Sequence, residues 1–208
     1  QRLELSSDYI TEGHALKGVL KADMENIRAT MEKIDYNTFE DVVNNIFAAK
    51  RIYIIGLRSS MALAEFLGFY LNIILQNVKT VGYGISDIFE QMINVGEGDL
   101  VIGIGFPRYA SRTIDALAFA QDRGARVVAV TDSFLSPLAT RADYALIAQS
   151  NMASFVDSLV APLSVINALI IAVGMREKDN ISSTFNSLEE IWQEYNVYSY
   201  NNRNVGDD

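Results

Sequence analysis

The chain has 208 residues, half of them hydrophobic, a formal charge of −9 and no cysteine. That length and apolar content suit one sizeable α/β domain with a real core, with or without a helical appendage, while the acidic balance and the lack of any basic run argue against nucleic-acid binding by this chain itself, since phosphate contacts need clustered Lys and Arg. Disulfides, thiolate metal sites and a Cys nucleophile are excluded, and the single histidine, His14, leaves neither a His-based zinc site nor a Ser-His-Asp triad within one subunit.

In chain order, residues 1–10 read as frayed. From Thr11 to Ile34, Leu16, Leu20, Met24, Ile27, Met31 and Ile34 recur at steps of three and four, an amphipathic helix. Asp35 to Asn37 interrupts it. Asn37 with Glu40 resembles a capping box opening a helix through Ala49, with Phe39, Val42, Val43, Ile46 and Phe47 inward. Strands and helices then alternate: strand 51–55, helix 61–76, strand 78–81, helix 86–94, strand 100–104, a helix ending at Arg123, strand 126–131, a Ser-Pro turn at 136–137, strand 143–148, an apolar helix 154–174 and a last amphipathic helix 183–195. The tail is Asn-rich. The apolar run Leu159–Val173 contains Pro162 and Asn167 and is too short to span a bilayer, so it reads as a buried helix.

Five parallel strands with interleaved helices imply a doubly wound three-layer α/β/α sandwich. The expected divisions are a linker helix at 1–36, the domain at 37–195 and a flexible tail at 196–208. The polar, acidic start is not a secretory signal, and a cytoplasmic location is expected.

In open parallel sheets ligands bind at the carboxyl ends of strands, which singles out three loops. The first is Gly56-Leu57-Arg58-Ser59-Ser60. Its serines can offer hydroxyls and backbone N–H groups to an anion, or simply cap the helix. It matches neither G-x-G-x-x-G nor a P-loop. The second follows Leu100–Ile104 in DLVIGIGFPRYASRT. Gly105 permits close approach, Pro107 stiffens the turn, and Arg108 can pair bidentately with a phosphate or carboxylate. Phe106, Tyr109, Ser111, Arg112 and Thr113 complete that loop; its bland reading is a turn with a solvated arginine. The third is Thr131-Asp132-Ser133, a ligand edge or a cap. Ser154 reads as the cap of the apolar helix, with Asp157 and Ser158 beside it. Glu90 reads as a surface carboxylate, and is also the one general base available if chemistry occurs.

Taken together, AAKRIYIIGLRSS at 48–60, GDLVIGIGFPRY at 98–109, RGARVVAVTDSFLSPLATRADYAL at 123–146 and LVAPLSVINALI at 159–170 resemble the SIS (sugar isomerase) domain family, and more narrowly the C-terminal effector domain of RpiR-type bacterial transcription regulators. The resemblance runs from about Glu12 to Trp192. It implies a flavodoxin-like SIS fold binding a phosphosugar or sugar acid without cofactor or metal, through Gly56, Arg58, Ser59, Ser60, Gly105, Phe106, Pro107, Arg108, Tyr109, Ser111, Thr131 and Ser133. It also implies a homodimer or tetramer, with the apolar helices at 61–76 and 154–174 as interface material. No membrane is expected, and DNA would be reached only through a helix-turn-helix domain that this chain, which starts without Met, does not contain.

Two departures matter. The family's Ser-x-Ser-Gly-x-Thr phosphate loop is here Gly105-Phe106-Pro107-Arg108-Tyr109-Ala110, losing both outer hydroxyls. In the first loop, Arg58 replaces the second glycine of Gly-x-Gly-x-Ser. An arginine in each loop points to a sugar acid or another carboxylate as the preferred ligand rather than a standard sugar phosphate. The alternative functions are an aldose–ketose phosphosugar isomerase using Glu90, with His14 of a neighbouring subunit as helper, and a protein-binding module like a glucokinase regulator.

Overall fold

In the computed structural model, residues 14–198 are described. The expectations for residues 1–10 and for the tail beyond Tyr198 lie outside them. The elements are α1 (Ala15–Lys33), α2 (Tyr36–Ala48), β1 (Ile52–Gly56), α3 (Met61–Leu75), β2 (Val78–Val81), α4 (Ile88–Gln91), β3 (Leu100–Ile104), α5 (Ser111–Asp122), β4 (Arg126–Thr131), β5 (Tyr144–Ile147), α6 (Val160–Arg176) and α7 (Lys178–Glu194).

All five strands pair in parallel, in the order β2-β1-β3-β4-β5. Alternation along each strand feeds two cores. Ile52, Ile54, Ile102, Ile104, Val128, Val130 and Leu146 pack against α2, α3 and α6. Tyr53, Ile55, Val101, Val127 and Ala129 pack against α4 and α5. β1 and β3 are buried along their whole length, as strands covered on both faces must be. The chain order reverses between β1 and β3, so the loops after those two strands open onto the same crevice.

The amino ends of the same strands are closed by a charge pair. Arg51 donates to both oxygens of Asp99, at 3.1 and 2.8 Å, and the Gly96 N–H also donates to Asp99. The bonds to Asp99 raise the guanidinium's affinity for its proton further.

Several expectations need correction. The cap of α2 is Asp35, which accepts from the Thr38 amide and hydroxyl at 2.8 and 2.7 Å. Asn37 and Glu40 therefore form no capping box, and Glu40 instead accepts from Arg176. The capping box is at Asp87 and Glu90, and it opens a helix of only four residues where 86–94 was expected. The apolar helix starts at Val160, not 154: its N-cap is Leu159, and Ser154 caps nothing. Pro162 has no amide hydrogen to give, so it belongs in a first turn, where none is needed; a start at 154 would have put it in the ladder. The last helix starts five residues earlier than expected, at Lys178.

α1 docks in an unexpected orientation. Its buried residues are Asn26 and Thr30, whereas Leu16, Leu20, Met24, Ile27 and Met31 are exposed. By contrast α3 and α6 bury most of their large apolar residues, leaving Phe69, Val160, Ile171 and Met175 exposed. No described helix is long and apolar enough to cross a membrane.

Candidate functional site

The crevice over β1 and β3 holds a cavity of about 430 Å³. Its walls are the loop after β1 (Leu57 to Ser60), the loop after β3 with the first turn of α5 (Ile104 to Thr113), Tyr83 from beyond β2, and Asp157 from before α6.

The close fit of these loops depends on two glycines. A Cβ on Gly56 would lie 2.6 Å from the Ser60 carbonyl oxygen, so only glycine lets the chain turn so tightly into the short 3-10 turn Arg58–Ser60. A Cβ on Gly105 would lie 2.8 Å from a Leu138 methyl. Phe106 then buries its ring in the core beside β3.

Both loops carry an arginine in the left-handed region, Arg58 at φ 59° and Arg108 at φ 62°. For a residue with a Cβ this costs roughly 1–2 kcal/mol. Both side chains are exposed at the cavity. Such outliers cluster where a site requires them. A third arginine, Arg112, lines the cavity and is paired with Asp87, its guanidinium 5.3 Å from the Phe89 ring centre.

Hydrogen-bond donors complete the floor. α3 and α5 both begin at the cavity without a side-chain cap. The Met61 amide donates to the Arg58 carbonyl and the Thr113 amide to the Ala110 carbonyl, so the uncapped Ser111 and Arg112 amides of α5 are the first-turn donors suited to an anion. The capping reading of Ser60 therefore does not hold at α3. Thr113 is 1% exposed and lines the cavity, yet its hydroxyl has no hydrogen-bond partner among the described residues. A buried hydroxyl without a partner is costly and rare.

Tyr109 donates its phenolic hydrogen to Asp132 at 2.7 Å. Burial first, and that bond second, push the phenol well above its usual range, so it stays a donor. Asp132 also accepts from Thr131 at 3.2 Å, and its carbonyl accepts from the Gln149 side chain at 3.1 Å. The end of β4 thus braces the loop after β3.

Nine of the twelve expected ligand residues line this one cavity: Arg58, Ser59, Ser60, Gly105, Phe106, Pro107, Arg108, Tyr109 and Ser111. Three do not. Gly56 lies beneath the turn, Thr131 is fully buried, and Ser133 accepts from the Leu135 amide at 3.1 Å. Glu90 is exposed, outside the cavity, and accepts from the Asp87 amide at 2.9 Å. His14 is exposed beside α1. Sequence reasoning missed Tyr83 and Asp157. The pair Gly82 and Gly84 flanking Tyr83, just after a strand, was an available signal; Pro162, by fixing the start of α6, would have left Asp157 in a loop.

Among known families, the model for the SIS domain matches residues 45–172. An uncharacterized HTH-type transcriptional regulator of Haemophilus influenzae is 30% identical over 142 residues, which is 68% of this chain and 48% of that protein. The chain thus spans about half the length of that relative. The sugar isomerase domain of an RpiR transcription factor from Sphaerobacter thermophilus superposes with a TM-score of 0.81 at 29% identity, covering 85% of this chain and 99% of that one. The Vibrio vulnificus NanR protein complexed with ManNAc-6P superposes at 0.72 with 19% identity, covering 91% and 74%, a likeness of fold.

Proposed function

The chain belongs to the SIS domain family, and from that premise we propose that it is the ligand-sensing domain of an RpiR-type transcriptional regulator, binding an anionic sugar, a phosphosugar or sugar acid, in the cavity over β1 and β3. The observation that carries this reading is the pair of left-handed arginines, Arg58 and Arg108, on the two loops that wall one cavity. Strained cations on adjacent loops are costly to the empty fold and useful to a bound anion. The uncapped Ser111 and Arg112 amides of α5 and the unpartnered Thr113 hydroxyl add neutral donors at the same cavity.

Binding, rather than isomerisation, is the activity proposed. A proton shift between adjacent carbons needs a base within reach of the substrate. Glu90, the base expected for an isomerase, is outside the cavity with its carboxylate engaged as a helix cap, and Asp157 is the carboxylate that lines the cavity. The regulator reading draws support from the Haemophilus relative and from the RpiR domain, and the phosphosugar class from the NanR complex. DNA contact would belong to a separate helix-turn-helix domain, and the working form would be a homodimer or tetramer in the cytoplasm.

The test is a thermal-shift screen of sugar phosphates, including N-acetylmannosamine 6-phosphate, with sugar acids and amino sugars, repeated on Arg108→Ala. A ligand at 100 times its dissociation constant stabilises by about 2.7 kcal/mol, a shift of several degrees. The expected result is a hit in one anionic class that Arg108→Ala abolishes. No hit in either class, or hits indifferent to Arg108, defeats the reading.

A further inference from the structure

Residues 149–159 contribute Asp157 to the wall of the cavity and hydrogen bonds to α1, which also packs along α6. The segment 149–159 has no helix or strand of its own. Asp157 lines the ligand cavity, and its neighbour Ser158 donates to Asp23 of α1 at 2.6 Å. Earlier in the segment, Asn151 and Asn26 of α1 bond reciprocally: the Asn26 amide donates to the Asn151 carbonyl at 2.9 Å, and the Asn151 N–H donates back at 3.1 Å. The Gln149 N–H donates to the Thr30 hydroxyl at 2.8 Å.

A second connection reaches the same place through side-chain and backbone groups in turn. Tyr109 at the cavity bonds Asp132, the Asp132 carbonyl accepts from Gln149, and Gln149 bonds Thr30. Cavity and α1 are therefore joined twice, through Asp157–Ser158–Asp23 and through Tyr109–Asp132–Gln149–Thr30.

The character of the α1 contact suits a movable joint. A helix locked to a core buries its apolar stripe; α1 exposes that stripe and buries Asn26 and Thr30 instead. Such hydrogen bonds fix register more than they add stability. Beside them, a mostly apolar cleft of about 400 Å³ separates α1 from the segment, lined by Val19, Phe155 and Val156 among others, so the two are not close-packed.

We propose that residues 149–159 form a strap that couples occupancy of the cavity to the docking of α1, with Asp157 as its reading residue. Resting on the ligand-site reading above, this adds how binding is transmitted and what the strap recognises. Asp157 lines the same cavity as Arg58, Arg108 and Arg112; beside a ligand held by the arginines, its carboxylate would accept hydrogen bonds from hydroxyl groups and repel a bare anion. The strap thus selects a polyhydroxylated anion over inorganic phosphate. Coupling requires that the ligand favour one docking state, and linkage then makes α1 docking alter ligand affinity by the same factor.

Two variants remote from the cavity, Asn26→Ala and Ser158→Ala, test this on the full chain; Ser158→Ala keeps the test open should loss of the buried Asn26 prevent folding. Without ligand, hydrogen–deuterium exchange is followed in 15–33, 149–159 and 105–113. The expected result is faster exchange in all three; exchange at 105–113 identical to the parent chain overturns the strap. Glucose 6-phosphate and inorganic phosphate are then titrated calorimetrically. Where glucose 6-phosphate binds, each variant should change its affinity by about threefold to tenfold, the scale of one hydrogen bond. Asp157→Ala should weaken glucose 6-phosphate and leave inorganic phosphate as tight or tighter. Unchanged affinities overturn the proposal. If neither probe binds the parent chain, the sugar-phosphate reading is in trouble, and the exchange experiment alone decides the coupling.

Discussion

Arg58 and Arg108 occupy the same left-handed backbone state, φ 59° and 62°, at the ends of neighbouring strands β1 and β3. Glycine adopts this state freely; every other residue in it carries strain. The two arginines therefore separate a stability effect from a binding effect at one position.

Replacing either arginine by Ala removes the charge and keeps the strain, whereas Gly removes both. We expect Arg58→Gly and Arg108→Gly to be more stable than the matching Ala variants by about 1 kcal/mol, net of the added freedom of the unfolded chain. Both members of each pair should lose affinity for an anionic ligand. Urea denaturation and a ligand titration read the two effects; Ala variants as stable as Gly would falsify the strain argument.

Thr113 makes the opposite kind of test. Its hydroxyl is buried at the cavity floor without a partner. Valine keeps the shape and removes the unsatisfied group, which is neutral or stabilising by up to about 1 kcal/mol. We expect Thr113→Val to melt no lower than the parent chain without ligand and to bind the ligand found in the screen more weakly. A clear loss of stability in the ligand-free variant means the hydroxyl already has a structural task.

Tyr109 gives a pH dependence whose sign follows from its environment. In the fold its phenol is raised above the ordinary value of 10 by burial and by the bond to Asp132. The unfolded chain loses that proton near 10, so the stability contributed by the protonated phenol is fully present below that pH and is lost as pH rises past it toward the folded value. Tyr109→Phe should cost about 1 kcal/mol at neutral pH, at the low end for a bond to a charged group because the ring is only partly buried. The gap between the two proteins should narrow above pH 10. Melting curves from pH 7 to 11 show this, and a gap constant across the range rejects the assignment.

Much of the scaffold was legible because it is local. The run 100–104 read as a strand from its branched, uncharged composition, 126–131 from the Val-rich stretch after Arg126, and β2 from its four residues. The cavity loops followed from a rule about strand ends, so nine of the twelve residues expected to bind ligand line one cavity. Non-local features were not legible. The buried face of α1 depends on Asn151, which is 125 positions from Asn26, and hydrophobic periodicity pointed to the adjacent face, roughly a quarter-turn round the helix. The start of α6 was misplaced because an apolar, small-residue run extends a helical pattern with no break in hydropathy. Only Pro162 marked the boundary. The strained arginines were open to inference from the resemblance alone: Arg58 stands at the second glycine of the family's Gly-x-Gly-x-Ser pattern and Arg108 at the glycine of Ser-x-Ser-Gly-x-Thr, positions where a left-handed backbone suits glycine.

The exposed stripe of α1 bears on assembly. Leu20, Met24, Ile27 and Met31 are 40–71% exposed, and their steps of four, three and four are those of a coiled-coil seam. A stripe of that period, left uncovered by its own domain, fits a second helix of the same period, and so a second copy of this chain. Within a monomer, surface substitutions there should change stability by no more than about 0.5 kcal/mol. Between copies, a charge at the centre of the seam is desolvated without a partner and should abolish pairing. We therefore expect Met24→Glu with Met31→Glu to preserve the circular dichroism spectrum while converting a dimer to a monomer in sedimentation velocity. A parent chain that sediments as a monomer at all concentrations, or a double variant that still pairs, would move the assembly surface away from α1 and back to the exposed residues Phe69, Ile171 and Met175 on α3 and α6.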